Sequence, residues 1–399
     1  MTIHHWHDAS CLEGVETLNE TKIALATRDG MPRRDFLRNS MMLAVPMVVG
    51  GYALPALAYS PPVRSHGSAT RNVKDYGALG NGVHDDTAAF QAAINSLPSS
   101  GGTIYVPTGT YMIDAVKSIR LRSYNHLSMS SGAILKAKAT SASKYNVIYV
   151  HKVHDVEISG GRIIGDRDRH NGTTGEWGHG IFVRGSKRVT VRDVHISRCW
   201  GDGVSIGAAV IWEAPDIYSE DVVISNIVAT GNRRQGMSIG RSKYVKVYDS
   251  EFSNSSGTKP ECGIDIEPDS GGSASNIHIE NCLIRSNRKY GILIYKNAKY
   301  VTLYRNTIER NNSCGAVTVG CYSVKIISNT IRYNGATGIY VQDGTNVCRI
   351  ASNTSYGNYA NLSIINRTDF TLTGWSSKIE RDILRKNYSN LTIATNYYK

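Results

Sequence analysis

From residue 179 onward one short phrase keeps returning, a glycine followed by a strand in which apolar and polar residues alternate. It reads Gly180-Ile181-Phe182-Val183, Gly203-Val204-Ser205-Ile206, Gly236-Met237-Ser238-Ile239, Gly263-Ile264-Asp265-Ile266, Gly291-Ile292-Leu293-Ile294 and Gly338-Ile339-Tyr340-Val341. A weaker copy stands at Gly315-Ala316-Val317-Thr318-Val319. Successive glycines are 23, 33, 27, 28, 24 and 23 residues apart, which are coil lengths with insertions rather than a helix period. The alternation sends one set of side chains to a core and the other outward. The pattern therefore predicts an all-β solenoid, with the outward residues of every coil sharing one face. That face reads Phe182/Arg184, Ser205/Gly207, Ser238/Gly240, Asp265/Glu267, Leu293/Tyr295, Thr318/Gly320 and Tyr340/Gln342.

Two further columns keep the same period. Asn281, Asn306, Asn329 and Asn353 recur at intervals of 25, 23 and 24 residues, and Asn287, Asn311, Asn334 and Asn358 at 24, 23 and 24. Coils stacked about 4.8 Å apart place such amides within hydrogen-bond reach of one another, so they are expected to be structural ladders that satisfy buried turn groups.

The first coil has its own signature. Asn72-Val73-Lys74-Asp75-Tyr76-Gly77 leads through Asp85-Asp86-Thr87 to a short helix with Phe90, Ala93, Ile94 and Leu97 on one stripe and Asp86 placed as its N-cap. The strand Gly102-Thr103-Ile104-Tyr105-Val106 and Gly109-Thr110-Tyr111 follow. A helix laid over the end of a solenoid shields its terminal edge. The run from Val73 to Tyr111 resembles the opening segment of pectate-lyase-superfamily proteins, which include pectin hydrolases, lyases, mannuronan epimerase modules and phage depolymerases. The resemblance implies a right-handed parallel β-helix with a short N-terminal capping helix over residues 72–365, and it allows a homotrimer. Residues 366–399 lose the phrase and are expected to form a C-terminal cap or tail.

Ahead of this domain, Arg33-Arg34-Asp35-Phe36-Leu37-Arg38 precedes an apolar stretch closed by Ala56-Leu57-Ala58. It resembles a twin-arginine export signal over residues 1–58, with Met31 as an alternative start and residues 59–71 as a linker. The stretch is short and interrupted by Pro46, Gly50, Gly51 and Pro55, which argues against a stable membrane span after cleavage. Export implies a periplasmic or secreted protein. Without residues 1–58 the chain keeps 40 basic and 27 acidic side chains, a formal charge of +13. Such a balance serves solubility and also suits an anionic partner. No nucleic-acid module or dense Lys/Arg tract accompanies it, so the expected partner is an acidic polysaccharide rather than nucleic acid. Six cysteines remain, at 199, 262, 282, 314, 321 and 348, without zinc-site spacing; they are either disulfide partners or buried thiols.

Candidate chemistry lies on the shared strand face. Asp265 and Glu267 project from one strand about 7 Å apart, a spacing that suits an acid and a base or, with Asp269, a calcium ion. No cofactor is otherwise required. Asp202 lies where the pectin hydrolases of the resembled superfamily carry an aspartate pair, but Gly201 replaces its partner, and Arg234-Gln235-Gly236 replaces their glycine-histidine-glycine. These departures favour a lyase over a hydrolase, with a uronate C5-epimerase and a non-catalytic polysaccharide-binding envelope protein as alternatives. His179 and Arg234 complete the catalytic candidates, His179 as a base. Arg184, Arg233, Gln235, Arg241 and Tyr295 are expected to contact substrate, with Trp177 and Trp212 as walls of a sugar groove.

Overall fold

A computed structural model describes residues 59–210, 215–268, 271–358 and 382–398. Its strands form three parallel sheets of 12, 12 and 10 strands, and each strand pairs with its counterpart one coil away. The chain is thus a parallel β-helix with a continuous apolar interior. One inward column of the third sheet runs Ile181, Val204, Met237, Ile264, Ile292, Ala316 and Ile339. All seven are fully buried. No helix of the described residues is long and apolar enough to cross a membrane.

The helix Thr87–Asn95 covers the first coils, with Phe90 edge-on to Tyr111 at 5.3 Å. Asp86 occupies the N-cap position, but its side chain caps nothing in the helix. It accepts instead from the Leu79 and Gly80 amides at 2.7 and 3.2 Å, while Asp85 takes the Thr87 amide at 3.1 Å. Two adjacent carboxylates thus divide the loop and helix ends between them.

Both chain ends of the domain are integrated. Residues 59–69, placed in the linker by sequence, run along the first sheet. There Tyr59 stacks on Tyr248 at 3.7 Å, and buried Arg64 bonds Thr190 Oγ1 at 2.8 Å and Asp221 Oδ2 at 2.6 Å. At the other end, Ile383–Arg385, Ser389–Ile393 and Tyr397–Tyr398 pair with the preceding coil and add one more rung.

The asparagine ladders form, with one change of membership. Asn306, Asn329, Asn353 and Asn396 link amide to amide at 3.0, 3.0 and 2.9 Å. Asn281 stands outside this column and bonds Asp249, because Cys282 is the residue in register and gives its amide to Asn306. The longer 25-residue interval marked that offset. The other ladder runs from Asn287 through Asn311 and Asn334 to Asn358, and ends on Asp382 Oδ1 at 2.8 Å. Asn329→Ala would leave the buried Asn306 amide and the Leu303 carbonyl unpaired. A loss of about 2–3 kcal/mol is expected, read from chemical denaturation, whereas an exposed asparagine such as Asn312 should cost almost nothing.

The six cysteines are separate buried thiols. One outward pair also differs from expectation. In the weak copy of the phrase, Ala316 takes the inward column, so Val317 and Val319 face outward. Thr318 points inward, where its hydroxyl accepts from Thr345 at 3.2 Å. A threonine with a buried partner reads as polar and outward in sequence, and that shifted the register by one.

Candidate active site

The outward faces of three successive strands, Val204–Gly207, Met237–Ile239 and Ile264–Ile266, form the floor of an open cleft of about 200 Å³. Small residues line the first two coils, as their sequence suggested, and acids line the third. Trp177, His179, Arg184, Asp202, Arg234, Arg241, Asp265 and Glu267 all border it. Asp202 and Asp265 belong to coils two apart, not adjacent, because the coil of Ser238 lies between them.

A polar network binds these coils. Arg184 lies over the Phe182 ring at 3.8 Å and donates to Ser205 Oγ at 2.9 Å. A Cβ on Gly207 would stand 3.2 Å from the Arg184 guanidinium carbon, so the glycine is what lets the arginine lie flat. Ser205 Oγ and Ser238 Oγ are 2.7 Å apart, and Ser238 donates to Asp202 Oδ2 at 2.8 Å. Half-buried Arg234 reaches both Asp202 oxygens at 3.3 Å and the Glu176 carboxylate at 3.4 Å. With its amide oriented to satisfy both neighbours, Gln235 accepts from Arg234 at 2.8 Å and donates to Asp265 Oδ2 at 3.3 Å.

Two groups in this network are held neutral. Burial, reinforced by Glu267, pushes the Asp265 carboxyl well above the usual carboxylate range, against the pull of Arg234. Its Oδ1 has no hydrogen-bond partner among the described residues. Burial also lowers His179 to about 4, although Asp202 opposes it. The Asp202 amide donates to His179 Nδ1 at 3.2 Å, which leaves the ring proton on Nε2. His179 is therefore a neutral hydrogen-bond donor to the cleft, not the base expected from sequence.

The depressed histidine links pH to stability. Between about pH 4 and 6.5 the unfolded chain binds a proton that native His179 refuses, so the native state weakens as pH falls through that window. The contribution is roughly 3 kcal/mol. A His179→Gln variant should show a flatter dependence of melting temperature on pH there; parallel curves would mean an ordinary imidazole.

Several expected contacts lie elsewhere. Arg233 turns away to cover the Trp200 ring at 3.8 Å and to bond the Gly175 carbonyl at 2.9 Å. Gln235 is fully buried and holds Asp265 rather than touching a ligand. Tyr295 lies outside the cleft lining, with Lys296 over its ring at 5.1 Å. Arg241 lines the cleft but is ion-paired with Asp216. Trp177 is 45% exposed, with Lys144 over its ring at 4.8 Å, and offers a platform. Trp212 and Asp269 fall outside the described residues, and no three Asp, Glu, His or Cys side chains gather around a metal-sized point among those described. Sequence reading missed Glu176 and Asp216, counter-charges of Arg234 and Arg241. Both lie in insertions between coils, where the repeat carries no register.

Residues 117–274 and 221–376 match the model of the right-handed β-helix region, and residues 70–154 that described as rhamnogalacturonase A/epimerase, pectate lyase-like. The protein YclG of Bacillus subtilis (strain 168) is 29% identical over 282 residues, covering 65% of this chain and 48% of YclG. The chain thus spans about half the length of that relative. Among solved structures, the A-module of the Azotobacter vinelandii mannuronan C-5 epimerase AlgE6 superposes with a TM-score of 0.57 at 19% identity, covering 82% of this chain and 99% of that one. The Streptococcus pneumoniae surface adhesin PfbA gives 0.58 at 16% identity, covering 83% and 91%. At these identities the likeness is one of fold.

Proposed function

The chain belongs to the right-handed β-helix family, and on that premise we propose that it is an enzyme that cleaves an acidic polysaccharide by β-elimination. The observation that carries this reading is the carboxyl pair on strand Ile264–Ile266 and the residue after it, where Asp265 keeps its proton beside Glu267. Two carboxyls that share a site hold one proton between them at neutral pH.

A uronate lying on this floor presents one face to both groups. Glu267 takes the C5 proton while Asp265 gives its proton to the departing oxygen on C4. The C4–O bond breaks, and the electrons of the C5–H bond form the C4–C5 double bond. The pair still carries one proton afterwards, so transfer between its members resets it. The substrate carboxylate must be neutralised for C5 to acidify, and the His179 Nε2–H and Arg184 are the donors assigned to it. Trp177 stacks the neighbouring sugar. Calcium has no assigned role in these steps. The twin-arginine phrase would deliver the enzyme to substrates outside the cytoplasm.

Hydrolysis is the second reading, favoured by the same raised acid beside a second carboxylate. Inversion needs acid and base on opposite faces of the sugar, whereas Asp265 and Glu267 approach from one strand. A panel of acidic polysaccharides decides between them. Ultraviolet absorbance from unsaturated ends together with new reducing ends is the expected result, and reducing ends alone would mean hydrolysis. Exchange of the C5 hydrogen with deuterated solvent but no new ends would mean epimerisation. Silence in all three measurements would overturn the enzyme reading in favour of a binding protein.

A further inference from the structure

The outer face of the first sheet changes character halfway along the helix. On the early coils it is covered and neutralised. Residues 59–69 lie across it, and Arg188 pairs with Asp155 at 2.6 Å, Arg192 with Glu157 at 2.7 Å and Arg64 with Asp221 at 2.6 Å. Tyr59, the first described residue of that segment, stacks on Tyr248. From that coil onward the same face is bare among the described residues, and two of its outward columns carry basic side chains and no acid.

Lys246, His278, Thr302, Lys325 and Arg349 form one outward column, and Lys243, Ser275, Lys299 and Tyr322 the next. Every lysine and arginine of these columns is exposed. Lys246, Lys299, Lys325 and Arg349 make no ion pair with the described residues, and Glu280, an acid on the same sheet, is held by His278 at 2.9 Å. Lys325 and Arg349 stand directly opposite each other on neighbouring strands, an arrangement that like charges disfavour.

Between the two columns every coil bends through a left-handed residue. The early coils use Asp155, Arg188 and Asp221 there; the later ones use Tyr244, Asn276, Tyr300, Ser323 and Val347. A tyrosine in that conformation is locally unfavourable. Yet Tyr244 and Tyr300 occupy it, 49% and 52% exposed, and Tyr322 adds a third ring edge-on to Tyr300 at 5.8 Å. Unpaired cations and exposed rings thus alternate over five coils, a strip roughly 19 Å long by strand spacing.

We propose that this strip is a second, non-catalytic binding site for an acidic polysaccharide, on a different sheet from the cleft. Its cations meet the carboxylates of the chain, and its tyrosines stack the sugar faces. The choice of glycan over other polyanions rests on the reading of the cleft as a uronate site; the cation and ring pattern does not.

The test uses the whole protein carrying His179→Ala, so that turnover cannot remove the probe. Binding to polygalacturonate and to alginate is measured by affinity electrophoresis. Into this background go Lys325→Ser with Arg349→Ser and, separately, Tyr300→Ser, which places at that bend the residue type that position 323 already carries. The expected result is about tenfold weaker binding to the polymers for each, with trisaccharide binding unchanged because the cleft alone holds it. Strip-dependent binding in this background, with no turnover of any polymer by the parent protein that keeps His179, would support the strip while removing the lyase reading. Unchanged polymer affinity in both variants would overturn the strip. So would equal, strip-dependent retardation by single-stranded DNA, which would mark a general polyanion surface.

Discussion

Asp265→Asn is expected to abolish turnover and yet leave the protein more stable at pH 7 to 8. The carboxyl is 1% exposed and lies beside Glu267, so its charged form is disfavoured in the fold. The unfolded chain releases this proton near pH 4, whereas the native chain holds it well above that value. Across that interval the unfolded state binds fewer protons, so stability falls as pH rises. Asparagine does not titrate and still accepts from Gln235, which removes that cost. A gain of order 1–3 kcal/mol at pH 8 should shrink as pH falls toward 4. Turnover should drop by roughly 10³-fold through loss of the proton donor. Melting curves at several pH values, read beside product formation, check both halves. A variant less stable than the parent at pH 8 would show that the carboxyl is ionised in the fold. A stable and active variant would remove Asp265 from the mechanism.

The second large effect belongs to Arg234. Its guanidinium is 13% exposed and holds Asp202, 1% exposed, from both oxygens, with Glu176 on its other side. Arg234→Met keeps the volume and removes the charge, and breaking one half of a buried pair typically costs 3–5 kcal/mol, so a loss of about that size is expected. Adding Asp202→Asn should recover more than half of it, because the penalty lies in the abandoned carboxylate rather than in lost packing. Arg234 also pulls the Asp265 carboxyl downward, so its removal should shift the alkaline limb of the activity profile, where the proton donor is lost, further up in pH. A double variant no better than Arg234→Met alone would show that the ion pair is not the source of the stability.

These predictions rest on residues that sequence reading reached to very different degrees. Asp265 and Glu267 could be named from the repeat, since each stands at a fixed offset from a phrase glycine and the offset sets the face, whereas Asp202 and Arg234 were singled out through the family resemblance, and His179 stands directly before a phrase glycine. The same logic failed where the phrase was ambiguous. Thr318 was read one position out because polarity was taken for exposure, and Asn281 was counted in a ladder that Cys282 occupies.

The parallel β-helix, the placement of its core and the strand that carries the acids were determined by the sequence by itself. Period-two alternation, repeated at coil length, has one way to bury its apolar half. Only the tertiary structure decided what each polar side chain does there. Whether His179 donates or accepts depends on an amide 3.2 Å away, whether Asp265 keeps its proton depends on burial, and which arginines face a ligand depends on Glu176 and Asp216 in insertions outside the repeat. Such states are set by neighbours brought from other coils, and their interaction energies fall off over a few ångströms. The contrast along the first sheet has the same origin, because the cations of its later coils are legible one by one, but that they stand side by side without counter-ions is a property of the stacked register.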